Sequence, residues 1–288
     1  MTLKLRRLSY ALGAEVCDIN VSQPLGEAQF GEIYHAFLRH GILLFRNQDI
    51  TREQHIEFSR RFGELDRHEA LPRDRRADHP ELLMVTNEPK PDGSPSDTQY
   101  TGRQWHSDMS FTTEPSLGSL LRCFAAPEVG GDTLFANMYM AYDALSDGMK
   151  KLVADLHGIH LSGTRKIANM ESGVPRAAEQ RRLNPPVAQP VVRVHSETGR
   201  RALYIGEKVK RFDGMTEEES RPLIDYLVRH ATRPEFVYRH QWKRHDILAW
   251  DNRCTMHQAL GDFDETELRH MERTTVLGTP SGYVVANG

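Results

Sequence analysis

Four short runs of strand character crowd the last part of the chain, at 235–242, at 246–250, around His257, and at 269–277. Short strands joined by tight turns fold as an antiparallel sandwich or barrel, because each strand can bury its apolar face only against a second layer. Earlier segments alternate between strand and helix. From Glu27 the residues Phe30, Ile33, Tyr34, Phe37 and Leu38 follow helical spacing, Gly41 stops the run, and 42–45 reads as a buried strand. Thr51 followed by Gln54 is a capping-box signature for a helix ending at Gly63, and Thr216 with Glu219 opens another. A helix is also expected over 141–156, strands over 82–86 and 117–124, and a hairpin from 191–194 to 202–205. No repeat, low-complexity tract or linker interrupts the pattern, so residues 1–288 are read as one domain. Two irregular stretches, 87–104 and 163–190, are long enough to be covers over a cavity.

Composition narrows the partners. A formal net charge of −3 and a pI near 6.5 give no sign of a general nucleic-acid or membrane binder. Cys17, Cys123 and Cys254 form no closed disulfide framework and have no metal spacing, which points to a reducing cytoplasm. The basic start is not followed by an apolar leader core, and the run 42–45 is too short to cross a bilayer.

The chemistry concentrates at 103–111. On a strand His106 and Asp108 would share a face, so an imidazole nitrogen and a carboxylate oxygen could converge on one ion. His257 is the candidate third ligand; two histidines and one carboxylate leave open positions, as in non-haem Fe(II) oxygenases. A single His-x-Asp is common by chance, and a hydrogen-bonded strand pair is the competing reading. Arg269 and Arg273 lie four apart on an expected strand and face one side, as surface cations or as anion grips in a pocket. No glycine-rich dinucleotide loop, phosphate loop or nucleophile elbow occurs.

Four motifs occur in order: Trp105-His106-Ser107-Asp108, Gly130-Gly131-Asp132-Thr133, Trp250-Asp251-Asn252-Arg253 leading to His257, and Arg269-x-x-x-Arg273-x-Thr275. Together they resemble the taurine/2,4-dichlorophenoxyacetate dioxygenase family of Fe(II)- and 2-oxoglutarate-dependent enzymes, over almost the whole chain. The resemblance implies an α+β fold with a double-stranded β-helix (jelly-roll) core and flanking helices. It implies that His106, Asp108 and His257 hold Fe(II), that Arg269 and Thr133 meet the far carboxylate of 2-oxoglutarate, and that O₂ is consumed. Arg273, with His68, matches the positions that grip the substrate's acidic group. The expected partner is a small anionic organic substrate, with an aryloxyalkanoate-like carboxylate ahead of a taurine-like sulfonate because Gly102 stands where the taurine branch has a substrate-contacting asparagine. A cytoplasmic homo-oligomer with no nucleic-acid or membrane partner completes the expectation. A zinc-dependent hydrolase on the same three ligands and a non-catalytic jelly-roll binding module are the alternatives from other classes.

Overall fold

A computed structural model of the chain describes residues 3–69, 71, 75–162 and 183–285. Its strands are β1 (Leu5–Arg7), β2 (Ala14–Val16), β3 (Ile42–Phe45), β4 (Leu83–Thr86), β5 (Gly118–Ala125), β6 (Thr133–Asn137), β7 (His157–His160) and β8 (Val187–Pro190). They continue with β9 (Val192–Val194), β10 (Arg201–Leu203), β11 (Val209–Phe212), β12 (Val237–His240), β13 (Ile247–Asp251), β14 (Thr255–Ala259), β15 (His270–Val276) and β16 (Tyr283–Val284). The helices are α1 (Glu27–His40), α2 (Arg52–Arg60), α3 (Met138–Asp143), α4 (Asp147–Val153) and α5 (Glu217–Ala231).

A major sheet has the strand order β1-β2-β3-β13-β5-β15-β4, antiparallel except where β2 meets β3. Smaller sheets, β12-β6-β14 and β11-β7-β8-β16, and the hairpin of β9 and β10 make up the rest. Strand periodicity decides what each face of the major sheet buries. Leu43 and Phe45 of β3, Ile247 and Ala249 of β13 and Leu120 of β5 pack outward against α1 and α2, with Phe30, Phe37 and Phe58. The alternate residues Ile42, Leu44, Leu248, Trp250, Leu121 and Cys123 point the other way and pack on Phe135 of β6 and on Trp242. The chain is thus a two-layer sandwich with helices outside, and its interior is the slab between Trp250 and Phe135.

Local signals set the helices. α1 stops because Gly41 takes the left-handed conformation at φ 69, and α2 and α5 begin with complete capping boxes at Thr51 and Thr216. The expected helix over 141–156 is instead two, α3 and α4, because Ser146 caps a new start by accepting the Met149 amide. Strand 235–242 is shortened at its front by a 3-10 turn over Pro234–Phe236, where proline fits the first helical position. Of the stretch 163–190, residues 163–182 lie outside the described residues. Its end is not irregular: β8 pairs with β7 through His157↔Pro190 to His160↔Val187.

Candidate metal centre

His106 and His257 face each other across one isolated antiparallel bridge, each backbone amide donating to the other's carbonyl at 2.9 and 2.8 Å. The expected strand over 103–111 does not form. Beyond the bridge the chain turns, with Met109 at φ 52, so His106 and Asp108 converge through a bridge and a turn, not through strand alternation. The turn's polar backbone is satisfied from elsewhere: the Asp108 amide donates to Asn252 Oδ1 at 3.2 Å, and Ser116 Oγ donates to the Asp108 carbonyl at 3.0 Å. Asn252 also donates to Ser119 Oγ, and Ser119 donates to Asp108 Oδ2 at 2.8 Å. Sequence reasoning quoted Asn252 without giving it a role and missed Ser119, a small polar residue whose partner is distant in the chain.

Asp108 Oδ1 lies 3.8 Å from His106 Nε2, and Oδ2 lies 3.9 Å from His257 Nε2. One ligand atom from each of the three residues falls within 4.8 Å of the others, all three buried. The tautomer suits a metal. His106 Nδ1 is 2.8 Å from the Gln104 carbonyl and donates its proton there, leaving Nε2 with a bare lone pair. Donors bound about 2.1 Å from one ion are at most about 4.2 Å apart, so a small side-chain adjustment would close these on an ion. Protonation suits it as well. Burial pushes the His257 imidazole well down, with the His106 and Arg273 charges adding to it. For Asp108, burial acts upward, but Arg273, His257, His106 and Ser119 outweigh it and hold the carboxyl well below the usual range. A neutral imidazole and an ionised carboxylate are the forms that ligate.

Two arginines flank the cluster, and neither is on the surface: Arg269 is 7% exposed and Arg273 8%. Arg273 shares the inner face of β15 with Met271 and Thr275 and donates from Nη1 to Asp108 Oδ1, while its Nε has no partner. Arg273 thus takes one lone pair of Oδ1 and leaves the other for an ion. Arg269 precedes a β-bulge at His270/Met271 and donates from Nε to the Gly131 carbonyl at 3.0 Å. Burial brings its pKa down to about 10. It borders a recess under the 87–104 loop, walled by Thr98, Arg103, Ala259 and Phe263. Thr133, two residues after Gly131, accepts a 2.9 Å hydrogen bond from the Trp242 indole, so its own hydroxyl proton is free to point elsewhere. Trp242 carried no signal in the sequence. His68 is placed differently from the other residues. It is fully buried at φ 54, with Nδ1 3.1 Å from the Pro80 carbonyl and Nε2 3.1 Å from Thr275 Oγ1. Its ring meets the strand that carries Arg273 and does not line the recess beside His106. Gly102 has φ 77, and a Cβ there would lie 3.2 Å from His106 Cε1, so a side chain would crowd a candidate ligand.

The family model for "Taurine catabolism dioxygenase TauD, TfdA family" matches residues 4–275. The chain belongs to this family. It is 32% identical, over 92% of its own length and 91% of the relative's, to the alpha-ketoglutarate-dependent 2,4-dichlorophenoxyacetate dioxygenase of Burkholderia sp. (strain RASC). It is 31% identical, over 96% and 90%, to an alpha-ketoglutarate-dependent sulfate ester dioxygenase of Pseudomonas putida. The crystal structure of AAD-2 in complex with Mn(II) and N-oxalylglycine superposes with a TM-score of 0.86 at 33% identity, covering 98% of this chain and 99% of that one. This TauD/TfdA protein is accordingly a 2-oxoglutarate-dependent dioxygenase with a jelly-roll core, requiring Fe(II), 2-oxoglutarate and O₂. No helix among the described residues is long and apolar enough to cross a membrane.

Proposed function

We propose that His106, Asp108 and His257 hold the iron, that Arg269 and Thr133 hold the far carboxylate of 2-oxoglutarate, and that Arg273 receives the acidic group of a small organic substrate. The observation that carries this reading is the donor set itself: a bare imidazole lone pair, a second neutral imidazole and an ionised carboxylate, buried together between two sheets. The bound iron and 2-oxoglutarate would supply the oxidising chemistry that hydroxylates a substrate C–H, releasing succinate and CO₂. The protein's part is to bind, orient and exclude water.

Arg269, desolvated and held by the Gly131 carbonyl, presents its remaining N–H groups as a planar fork that matches a carboxylate. Trp242 takes one lone pair of Thr133 and turns its hydroxyl proton outward as a second donor. Arg273 holds Asp108 through Nη1 and keeps a buried, unpartnered Nε N–H that would receive the substrate's acidic group. His68 braces β15 behind it through Thr275 and is assigned a positioning role. The two relatives act, by name, on an aryloxyacetate and on sulfate esters. We therefore keep both classes, with the aryloxyalkanoate first because Gly102 offers no side chain to a sulfonate. One catalytic unit over 1–288, covered by 87–104, completes the proposal; of the second expected cover, residues 163–182 lie outside the described residues and 187–190 are strand β8. Three cysteines, none in a disulfide, suit a reducing cytoplasm, and light scattering would test self-association.

The test is to add Fe(II) and 2-oxoglutarate without oxygen and look for the visible charge-transfer band of the chelate, then to screen anionic substrates for succinate release. A band, and succinate matched by hydroxylated product, are expected. No band and no 2-oxoglutarate consumption would overturn the assignment.

A further inference from the structure

A recess opens against His106, walled by Ser107, Ser110, His160, Tyr204 and Lys208. Its far wall is deeply buried and yet polar. His160 and Tyr204 are each 2% exposed, and their rings lie 5.6 Å apart, nearly parallel. Neither ring nitrogen of His160 has a hydrogen-bond partner. Buried polar groups are ordinarily paired, so a bare imidazole at a cavity wall marks a place where a partner belongs. Behind Tyr204, the Arg193 guanidinium sits 4.5 Å from the ring centre, and its Nη1 is buried with no partner. Lys208 reaches the wall from the other side, its ammonium 5.8 Å from the Phe111 ring and 3.5 Å from Glu207.

No carboxylate of the described residues lines the recess; Lys208 is paired with Glu207 at 3.5 Å, whereas no ion pair among the described residues reaches Arg193. Burial, then the charges of Arg193 and Lys208, push His160 down to about 3, so it meets a ligand as a neutral N–H donor. A wall built only to pack an apolar ring needs none of these groups.

We propose that this wall is a second anion site of the substrate pocket, so that the substrate is a small organic dianion. One acid group would face Arg273 and the other His160, Tyr204 and Lys208, with the reacting C–H held between them beside His106. The inference rests on the reading of His106, Asp108 and His257 as the metal centre and narrows the substrate class of that site to carboxylates and sulfonates that carry a second acid group, in place of the singly charged aryloxyalkanoates ranked first above. Two fixed acid contacts would set both the depth and the rotation of a flexible chain, which one contact cannot do.

The experiment uses protein reconstituted anaerobically with Fe(II) and 2-oxoglutarate, titrated by calorimetry with adipate against hexanoate and with 4-sulfobutyrate against butanesulfonate. The chelate band is followed to confirm that 2-oxoglutarate stays bound. The dianion of each pair is expected to bind at least ~10-fold tighter, a charge-assisted contact being the difference. Lys208→Met and His160→Phe should each remove most of that advantage. Lys208 is partly exposed, so its variant is expected to fold, and melting curves check both. Equal affinities within each pair overturn the proposal, as does a dianion preference that survives both substitutions. If no chelate band forms, the metal-centre reading fails and takes the proposal with it; a band without dianion preference sinks the second site alone.

Discussion

Asp108 and Asp251 are both buried carboxylates with histidine and arginine around them, and each cluster has ligand atoms close enough for a metal. At Asp251 every lone pair is taken. Oδ1 accepts from the Arg253 amide and Nε, and Oδ2 accepts from Arg253 Nη2 at 2.7 Å and His195 Nε2 at 3.0 Å. His195 Nδ1 in turn accepts the amides of Glu197 and Thr198, and Arg253 Nη1 donates to Glu197 at 2.6 Å. At Asp108 the hydrogen bonds stop short: His106 Nε2 is bare, Arg273 Nε and His257 Nδ1 have no partner, and a recess adjoins. The third member differs, His257 in one cluster and Cys254 in the other, but proximity of donor atoms alone does not separate them. Satisfaction does: a closed network is a structural clamp, and an open one is prepared for something not yet there.

The comparison breaks most sharply on paired alanines. Asp108→Ala should bring turnover to the detection limit and weaken iron binding, because it removes the only anionic ligand; a folded variant with normal activity and iron content would end the assignment. Asp251→Ala should instead cost about 3–5 kcal/mol of stability, the penalty for leaving buried Arg253 with Glu197 as its one remaining counter-charge and the His195 Nε2 proton without its acceptor. Chemical denaturation measures it, and the fraction that remains folded should keep its kcat. If Asp251→Ala abolishes turnover in folded protein, the clamp reading is wrong.

The arginines sharpen the open side. Arg269→Ala should raise the KM for 2-oxoglutarate and Arg273→Ala the KM for substrate, each by about 2–5 kcal/mol of lost binding, as for truncated charge pairs. Steady-state kinetics in both substrates, with succinate and product counted separately, would show whether they are interchangeable. A smaller effect is expected at Trp242→Phe, which frees Thr133 to rotate; about 0.5–1.5 kcal/mol in 2-oxoglutarate affinity corresponds to the loss of one neutral hydrogen bond.

The smallest effect is on acid sensitivity. Burial acts to raise the Asp251 carboxyl, but Arg253 and His195 outweigh it and place it below its ordinary value of 3.8. A carboxyl depressed in the folded state stabilises fully above the unfolded pKa and loses that contribution as pH falls below it. Stability of the wild type should therefore drop below about pH 4, and Asp251→Asn should flatten the curve by at most one proton, about 1.4 kcal/mol per pH unit. Parallel curves for the two proteins would show that Asp251 does not carry this linkage.

Much of this was legible in the sequence where the signal is local. Gly41, Thr51 and Thr216 mark helix ends through contacts within four residues, and α1, α2 and α5 begin or end there. That His106, Asp108 and His257 come together was legible because four motifs occur in one order, although the strand invoked to align the first two is a bridge and a turn. What was not legible depends on contacts between segments far apart in the chain. Ser119 on Asp108, Trp242 on Thr133 and the bare His160 beside Tyr204 exist only after the sheets have packed. Ser146 is a different failure, since a cap inside an apolar stretch was overlooked in favour of the longer periodic run.

The order of the major sheet bears on how the chain can be made. β5 lies between β13 and β15, both encoded more than a hundred residues later. During vectorial synthesis the ribosome therefore releases β5 with neither edge paired, and the apolar run of Leu120 and Leu121 waits for partners that emerge last. Unpaired edges invite association with other chains, and such long-range pairings close slowly. Yield on expression and recovery from denaturant should then depend steeply on protein concentration and on chaperones, and a chain truncated before residue 247 would present the same two open edges permanently.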